Sequence, residues 1–291
     1  MVEYRILKTM DKRRYILTLS CKDTSGIVST VSTFLYNTGG FVLESSQYGD
    51  PITQNFFMRA EFTCQQSQEE ISAGFKFIAD RFKMNFLVHD AALRPNIIIA
   101  VSKASHCLID LLHKNEIGAL PANIVGIVSN HNTLKPYADR FAKKFYHFPI
   151  SHSEKKLEQE QRILTLFNET DCELIVLARY MQILSSEMSQ RLDGRAINIH
   201  HSFLPGFKGA NPYQQAYDHG VKLIGATAHY VTSDLDEGPI IEQEVIRVDH
   251  KQKPDDLRLM GQDIEARVLF KAVKWHLEQR IILNGTKTVV F

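Results

Sequence analysis

The stretch INIHHSFLPGFKGANPY, Ile197–Tyr213, begins as a buried strand and ends in a loop rich in Gly and Pro. Asn198, His200 and His201 stand at the junction. Alternate side chains of a strand share a face, so Asn198 and His200 point one way while Ile197 and Ile199 point the other, into packing. A strand that ends in an amide and imidazoles reads as the carboxyl edge of a sheet whose interior is apolar.

The neighbouring segments extend that reading. NIIIAVS (96–102) is a continuous apolar run, as expected of a strand covered on both faces. A short helix ASHCLIDLLHKN, a strand NIVGIVSN, a helix LKPYADRFAKKF, a strand YHFPI and a longer helix opened by Ser153 follow. Then come the strand CELIVLAR, a helix around SSEMSQRL, the strand AINIH, a helix PYQQAYDHG, the strands GATAHYVT and PIIEQEVIRV, and a last helix over about 255–279. Such alternation predicts an α/β doubly wound, mostly parallel, Rossmann-like sheet with helices on both faces. Ligands of such sheets bind at the carboxyl ends of strands, near the point where strand order reverses.

The first third has another rhythm. YILTLSC alternates as a strand, Ile27, Val28, Val31, Phe34 and Leu35 recur at helical spacing, and Asn37, Gly39 and Gly40 stop that helix. FVLESSQYG and QNFFMRAEF read as strands joined at Asp50–Pro51. Ile71, Phe75, Ile78 and Phe82 share a helical face, and MNFLVHD closes the unit. The order β-α-β-β-α-β is the ferredoxin-like arrangement. The expected boundary falls near Ala92, giving domains 1–92 and 93–291.

Bulk properties exclude several classes. The chain of 291 residues is 44% hydrophobic and 23% charged, with 34 basic and 33 acidic side chains and a formal net charge of +1. That balance leaves no footprint for nucleic acid or an anionic membrane. The four cysteines form no C-x-x-C pair, which fits buried free thiols in a reducing compartment. Charges interrupt the N-terminal region where a signal peptide needs an apolar block, and the apolar runs are too short to span a bilayer. A cytoplasmic location is expected.

The second polar group lies in GATAHYVTSDLDEGPII. His229 sits in a strand, Asp234, Asp236 and Glu237 on the loop after it, and Gly238–Pro239 turn the chain onward. An amide, an imidazole and a carboxylate suit attack on an acyl carbon: the amide donates to an oxyanion, the imidazole donates or moves protons, and the carboxylate orients an imidazole or a water. G-x-S-x-G is absent, and no Ser or Cys has a convincing partner for covalent catalysis. The histidines lack H-E-x-x-H or similar spacing, so no metal is expected; a metal at His200, His201 and Asp236 is the alternative that the sequence leaves open. Singly, each residue is more often a turn former or a packed side chain than a catalyst; the string as a whole is the stronger signal.

NIHHSFLPGFKGANPYQQAYDHG followed by GATAHYVTSDLDEGPII resembles the folate-dependent formyl-transfer family, over roughly Arg94 to the C-terminus. The resemblance implies a catalytic trio of Asn198, His200 and Asp236, with His229 beside it. It implies that the pterin of a folate is held by Met181, Gln182, Ile183 and Leu184 together with Val231, Thr232 and Asp234. Two departures bear on the reaction. His201 stands where the family's transferases usually carry Pro. No glycine occurs from Val101 to Asp110, where ribonucleotide transferases cradle a phosphate, and Ser102 or Ser105 reads instead as a helix cap. Without an acceptor, water takes the formyl group.

CKDTSGIVSTVSTFLYNTGGFVLE resembles an ACT domain, a module that often binds amino acids. This implies pairing into a homo-oligomer, at least a dimer, and an effector site around Asp23, Gly26 and Ile27. An ACT-like module ahead of such a catalytic domain is the arrangement of the family's deformylase branch. The resemblance therefore implies hydrolysis of 10-formyltetrahydrofolate to formate and tetrahydrofolate, serving one-carbon and purine metabolism, with no cofactor and with His201 supporting the site. A transferase with another acceptor and a non-catalytic folate or amino-acid sensor are the alternatives.

Overall fold

The computed structural model describes residues 12–150, 154–206 and 212–291. The helix opener Ser153 and part of the loop after Pro205 lie outside them. The chain forms two compact units, one of residues 1–93 with 278–284 and 289–291, the other of 94–277 with 285–288. The expected division at 92 and 93 gave the whole C-terminus to the second domain, whereas most of the last segment groups with the first.

In the first unit β1 (Arg13–Lys22), α1 (Ile27–Asn37), β2 (Phe41–Asp50), β3 (Asn55–Cys64), α2 (Gln68–Phe82) and β4 (Asn85–Asp90) follow the ferredoxin-like order. The antiparallel sheet runs β2-β3-β1-β4. Leu17, Leu19, Val31, Leu35, Phe62 and Phe75 fill the core between sheet and helices, each almost wholly buried. Helix α2 begins with a capping box, Ser67 and Glu70 each satisfying the other's backbone N–H. Arg59 is buried and its guanidinium holds Glu61 at 3.2 Å, Glu44 at 3.1 Å and the Glu278 carbonyl at 3.2 Å. That last bond ties the C-terminal segment to β3.

The second unit contains β5 (Asn96–Val101), α3 (His106–Glu116), β6 (Asn123–Ser129), α4 (Lys135–Arg140), β7 (Phe145–His147), α5 (Glu154–Glu169), β8 (Cys172–Leu177), α6 (Ser186–Arg191), β9 (Ala196–His200), α7 (Pro212–Asp218), β10 (Leu223–Tyr230), β11 (Ile240–Arg247) and α8 (Pro254–Leu277). The sheet order is β11-β10-β9-β8-β5-β6-β7. Strands β5 to β9 are parallel, and β10 and β11 run antiparallel to their neighbours. The order reverses between β5 and β8, so the crevice opens where Val101, Leu177 and His200 end their strands. Among the described residues no helix is long and apolar enough to cross a membrane.

Two local expectations need correction. Helix α4 was expected to reach Phe145 but stops at Arg140, because Ala142 takes the left-handed conformation and the Lys143 N–H closes on the Ala138 carbonyl at 2.9 Å. The sequence reading also left the last residues without structure. They form a hairpin, β12 (Ile281–Asn284) and β13 (Lys287–Val290), turning at Asn284–Gly285. Asn-Gly between two apolar runs is a strong hairpin signal, and it was there to be read.

Candidate active site

Strand β9 places Asn198 and His200 on one face, and its antiparallel pairing with β10 sets Asn198 opposite His229 and His200 opposite Thr227. The Asn198 Nδ2 lies 3.2 Å from His229 Nε2. The other ring nitrogen, Nδ1, is 2.8 Å from the Tyr230 carbonyl and donates to it. That bond fixes the ring, and the contact of its Nε2 with the amide holds Asn198 at the head of the site.

Asp236 reaches the same place from the loop after β10. Its Oδ1 lies 3.3 Å from His200 Nδ1 and 3.6 Å from His229 Nε2. Burial alone would raise its pKa, but the His200 and His229 imidazoles more than offset that and hold the carboxyl well below its ordinary range. Asp236 has φ of 58°, a left-handed conformation that costs a non-glycine residue about 1 kcal/mol or more. The His200 ring is 6% exposed, and its Nε2 is buried without a hydrogen-bond partner. That orphan nitrogen is the atom left over for a reacting group, since a buried polar atom with no partner is otherwise a net cost.

These side chains line a cavity of about 350 Å³. Met181, Gln182, Ile183, Leu184, Val231, Thr232 and Asp234 line it too, as do Ser233, Leu235 and Tyr180. Met181 is 59% and Ile183 60% exposed, so the cavity has an apolar rim open to a flat ligand. Neither Ser102 nor Ser105 caps α3 through its side chain, contrary to expectation. The Ser102 hydroxyl instead donates to Asn130 Oδ1 at 2.7 Å and accepts the Met181 N–H at 3.0 Å. It anchors the start of the 181–184 segment to the end of β5.

His201 packs edge-on against His200, with centroids 4.9 Å apart at 68°. Burial first, then the Arg179 cation, push its pKa down to about 4, so it is a neutral imidazole at pH 7. Sequence reasoning missed the group behind it. Glu265 on α8 is 1% exposed and accepts from the Tyr213 hydroxyl at 2.6 Å, and its Oε2 lies 2.8 Å from His106 Nε2 and 3.3 Å from Arg179 Nε. Gly261 makes room, because a Cβ there would collide with the Tyr213 hydroxyl. His106, Cys107 and Glu265 sit within 4.8 Å of one another. The carboxylate is already paired on both oxygens, and burial raises the Cys107 thiol far above its ordinary range, so the cluster is a hydrogen-bonded core without a free donor set for a metal.

In the first unit Gly26, with φ of 92°, precedes α1, and no side chain caps the helix. Ile27 is 2% exposed, so its side chain belongs to the core and only its backbone faces the turn. The Asp23 N–H donates to the Gln54 carbonyl at 2.9 Å.

Known proteins resemble this chain over much or nearly all of its length. Residues 95–273 match the model of the formyl transferase family. A Bacillus subtilis protein named formyltetrahydrofolate deformylase is 46% identical, covering 97% of this chain and 94% of its own. The crystal structure of formyltetrahydrofolate deformylase from Burkholderia mallei superposes with a TM-score of 0.92 at 49% identity, covering 96% of this chain and 99% of that one. Glycinamide ribonucleotide transformylase 1 from Symbiobacterium toebii is 26% identical with a TM-score of 0.64, and the match covers 94% of that chain but only 68% of this one. The likeness that extends over both units is thus to the deformylases, and the chain belongs to the formyltetrahydrofolate deformylase family.

Proposed function

We propose that the chain hydrolyses 10-formyltetrahydrofolate to formate and tetrahydrofolate. The observation that carries this reading is the convergence of the Asn198 amide, the unpartnered His200 Nε2 and the ionised Asp236 at the head of one cavity. Similarity to named deformylases over nearly the whole chain supports it.

The pterin lies against 181–184 and the loop before Asp236, which brings the formyl group to Asn198 and His200. Asp236 orients a water. As that water attacks the formyl carbon, Asn198 Nδ2–H and His200 Nε2–H donate to the tetrahedral oxyanion. A carboxyl held so far below its ordinary range stores a proton poorly, so Asp236 relays the water's proton and N10 of the leaving folate takes one up as the C–N bond breaks. No metal or cofactor takes part. The test is incubation with 10-formyltetrahydrofolate alone. Formate release without an acceptor supports hydrolysis, release only with an acceptor makes the chain a transferase, and binding without release makes it a sensor.

The same reading extends to assembly and location. Strand β2 is an edge strand carrying Phe41, Val42, Leu43 and Tyr48, each about half exposed, and edges of this kind are usually covered. Pairing of two copies through the first unit covers it. A small amino acid held by the uncapped start of α1, near Asp23 and Gly26, is the effector reading. It changes activity only by favouring one arrangement over another. The balanced charge and reduced-thiol chemistry suit the cytoplasm, with neither nucleic acid nor membrane as partner.

A further inference from the structure

A second cavity, about 580 Å³, adjoins the first in the same unit and reaches from His106 to Arg258. Arg179, Met181 and His201 line both, so they form the partition. Arg179 is a strange choice for that place. It takes φ of 64°, a left-handed conformation that a side chain resists, and it is 16% exposed. Its Nε is 3.3 Å from Glu265 Oε2 yet lacks hydrogen-bond geometry. Strain and an imperfectly used donor, directly beside the reacting groups, mark a residue kept for position.

We infer that Arg179, anchored by Glu265, is a positioning residue that seats the His201 imidazole against His200 at the wall of the catalytic cavity. The inference rests on the hydrolytic reading above. The charged and titratable groups facing His201 come from four elements: His200 at the end of β9, Arg179 after β8, Asp236 in the loop after β10 and Glu265 on α8. His106 and Tyr213 stand behind Glu265. Arg179 and His200 disfavour a charge on His201, while Glu265 and Asp236 favour one, and burial reinforces the former. A neutral His201 keeps a ring lone pair for a hydrogen of the attacking water. A protonated one loses it and sets a second cation against His200.

The test compares the wild type with Arg179→Met, Arg179→Gln and Arg179→Lys; in each, Glu265 keeps His106 and Tyr213 as partners. Formate release gives kcat and KM between about pH 5 and about pH 9, and the His201 imidazole is titrated by NMR. Removing the cation raises the His201 pKa. The Arg179→Met kcat then falls about threefold between about pH 7 and about pH 5 while the wild type stays nearly level, with KM little changed. Arg179→Lys restores the level profile. A residue with only a packing role lowers kcat equally at every pH. That result, an unmoved His201 titration, or a raised KM at unchanged kcat overturns the inference. Should Arg179→Met not fold, Arg179→Gln, which also removes the cation, is judged by the same criteria. A wild type that releases no formate overturns the hydrolytic reading instead, and the NMR titration still decides the seating of His201.

Discussion

Asn198 and His229 face each other across the antiparallel pairing of β9 and β10, the amide nitrogen 3.2 Å from the imidazole Nε2. The register of two strands thus sets the direction of the amide proposed as an oxyanion donor. Asn198→Ala is expected to lower kcat by about a hundredfold or more, the usual loss for one such donor. His229→Ala leaves the amide in place but free to turn, and costs about tenfold. Because His229 acts in part through Asn198, the double variant loses less than the product of the two single losses. Fully additive losses in formate release would show that His229 acts through Asp236 alone.

Asp236→Asn isolates the carboxylate. Asn tolerates the left-handed conformation that Asp236 adopts, so the loop keeps its path. The expected outcome is a kcat lowered by about a hundredfold or more with folate affinity preserved. Calorimetric titration with tetrahydrofolate separates the two quantities. Near-normal turnover in a variant that binds normally would remove Asp236 from the chemistry.

Much of this was legible in the sequence because it lies in local pattern. Period-two alternation and helical spacing place the elements around the cavity, and the strand end at His200 and the loop at Asp236 both line it. What stayed hidden depends on contacts between distant elements. Arg179 merely follows an apolar run, and nothing local says that it meets Glu265, eighty-six positions on. Glu265 did carry a signal: it shares a helix with Ile264, Val268 and Leu269, all buried, and a lone carboxylate on such a stripe needs a partner. Ser102 looked like a cap because a helix follows it, yet its hydroxyl is taken by Asn130 and Met181, whose nearness comes from the order of strands in the sheet.

The pH dependence of stability follows from His276 on α8. Burial pushes its pKa from 6.5 down to about 4, and its Nδ1 accepts from the Tyr230 hydroxyl at 2.7 Å. The unfolded chain therefore binds a proton more readily than the folded one between those two values. Stability from this group is complete above the unfolded pKa and is lost as pH falls toward the folded one. His201 acts with the same sign. Because the His276 side chain is only partly shielded, the expected loss from that residue is about 1–2 kcal/mol between about pH 6.5 and about pH 4. Urea midpoints of the wild type and His276→Gln across that interval check it. The variant is less stable at neutral pH and shows a shallower decline; parallel curves would remove His276 as the source.

The edge of the first unit yields the last prediction. Strand β2 has β3 on one side and no strand of its own sheet on the other, and Phe41 is 64% and Tyr48 45% exposed along it. A bulge between Val42 and Glu44 shifts the register, but from Glu44 onward the strand is regular to Asp50. A regular edge with aromatic side chains invites a second copy of itself. One lysine on such an edge is enough to oppose pairing, since bringing two copies together would desolvate its charge. Leu43→Lys/Tyr48→Lys is expected to lower the mass in solution toward that of a single chain. The thermal transition should change little, because both residues lie outside the core. Sedimentation equilibrium reads the mass directly. If the variant keeps the wild-type assembly, this edge is covered by something other than its twin, and the effector site proposed near Asp23 and Gly26 loses the interface on which its coupling would depend.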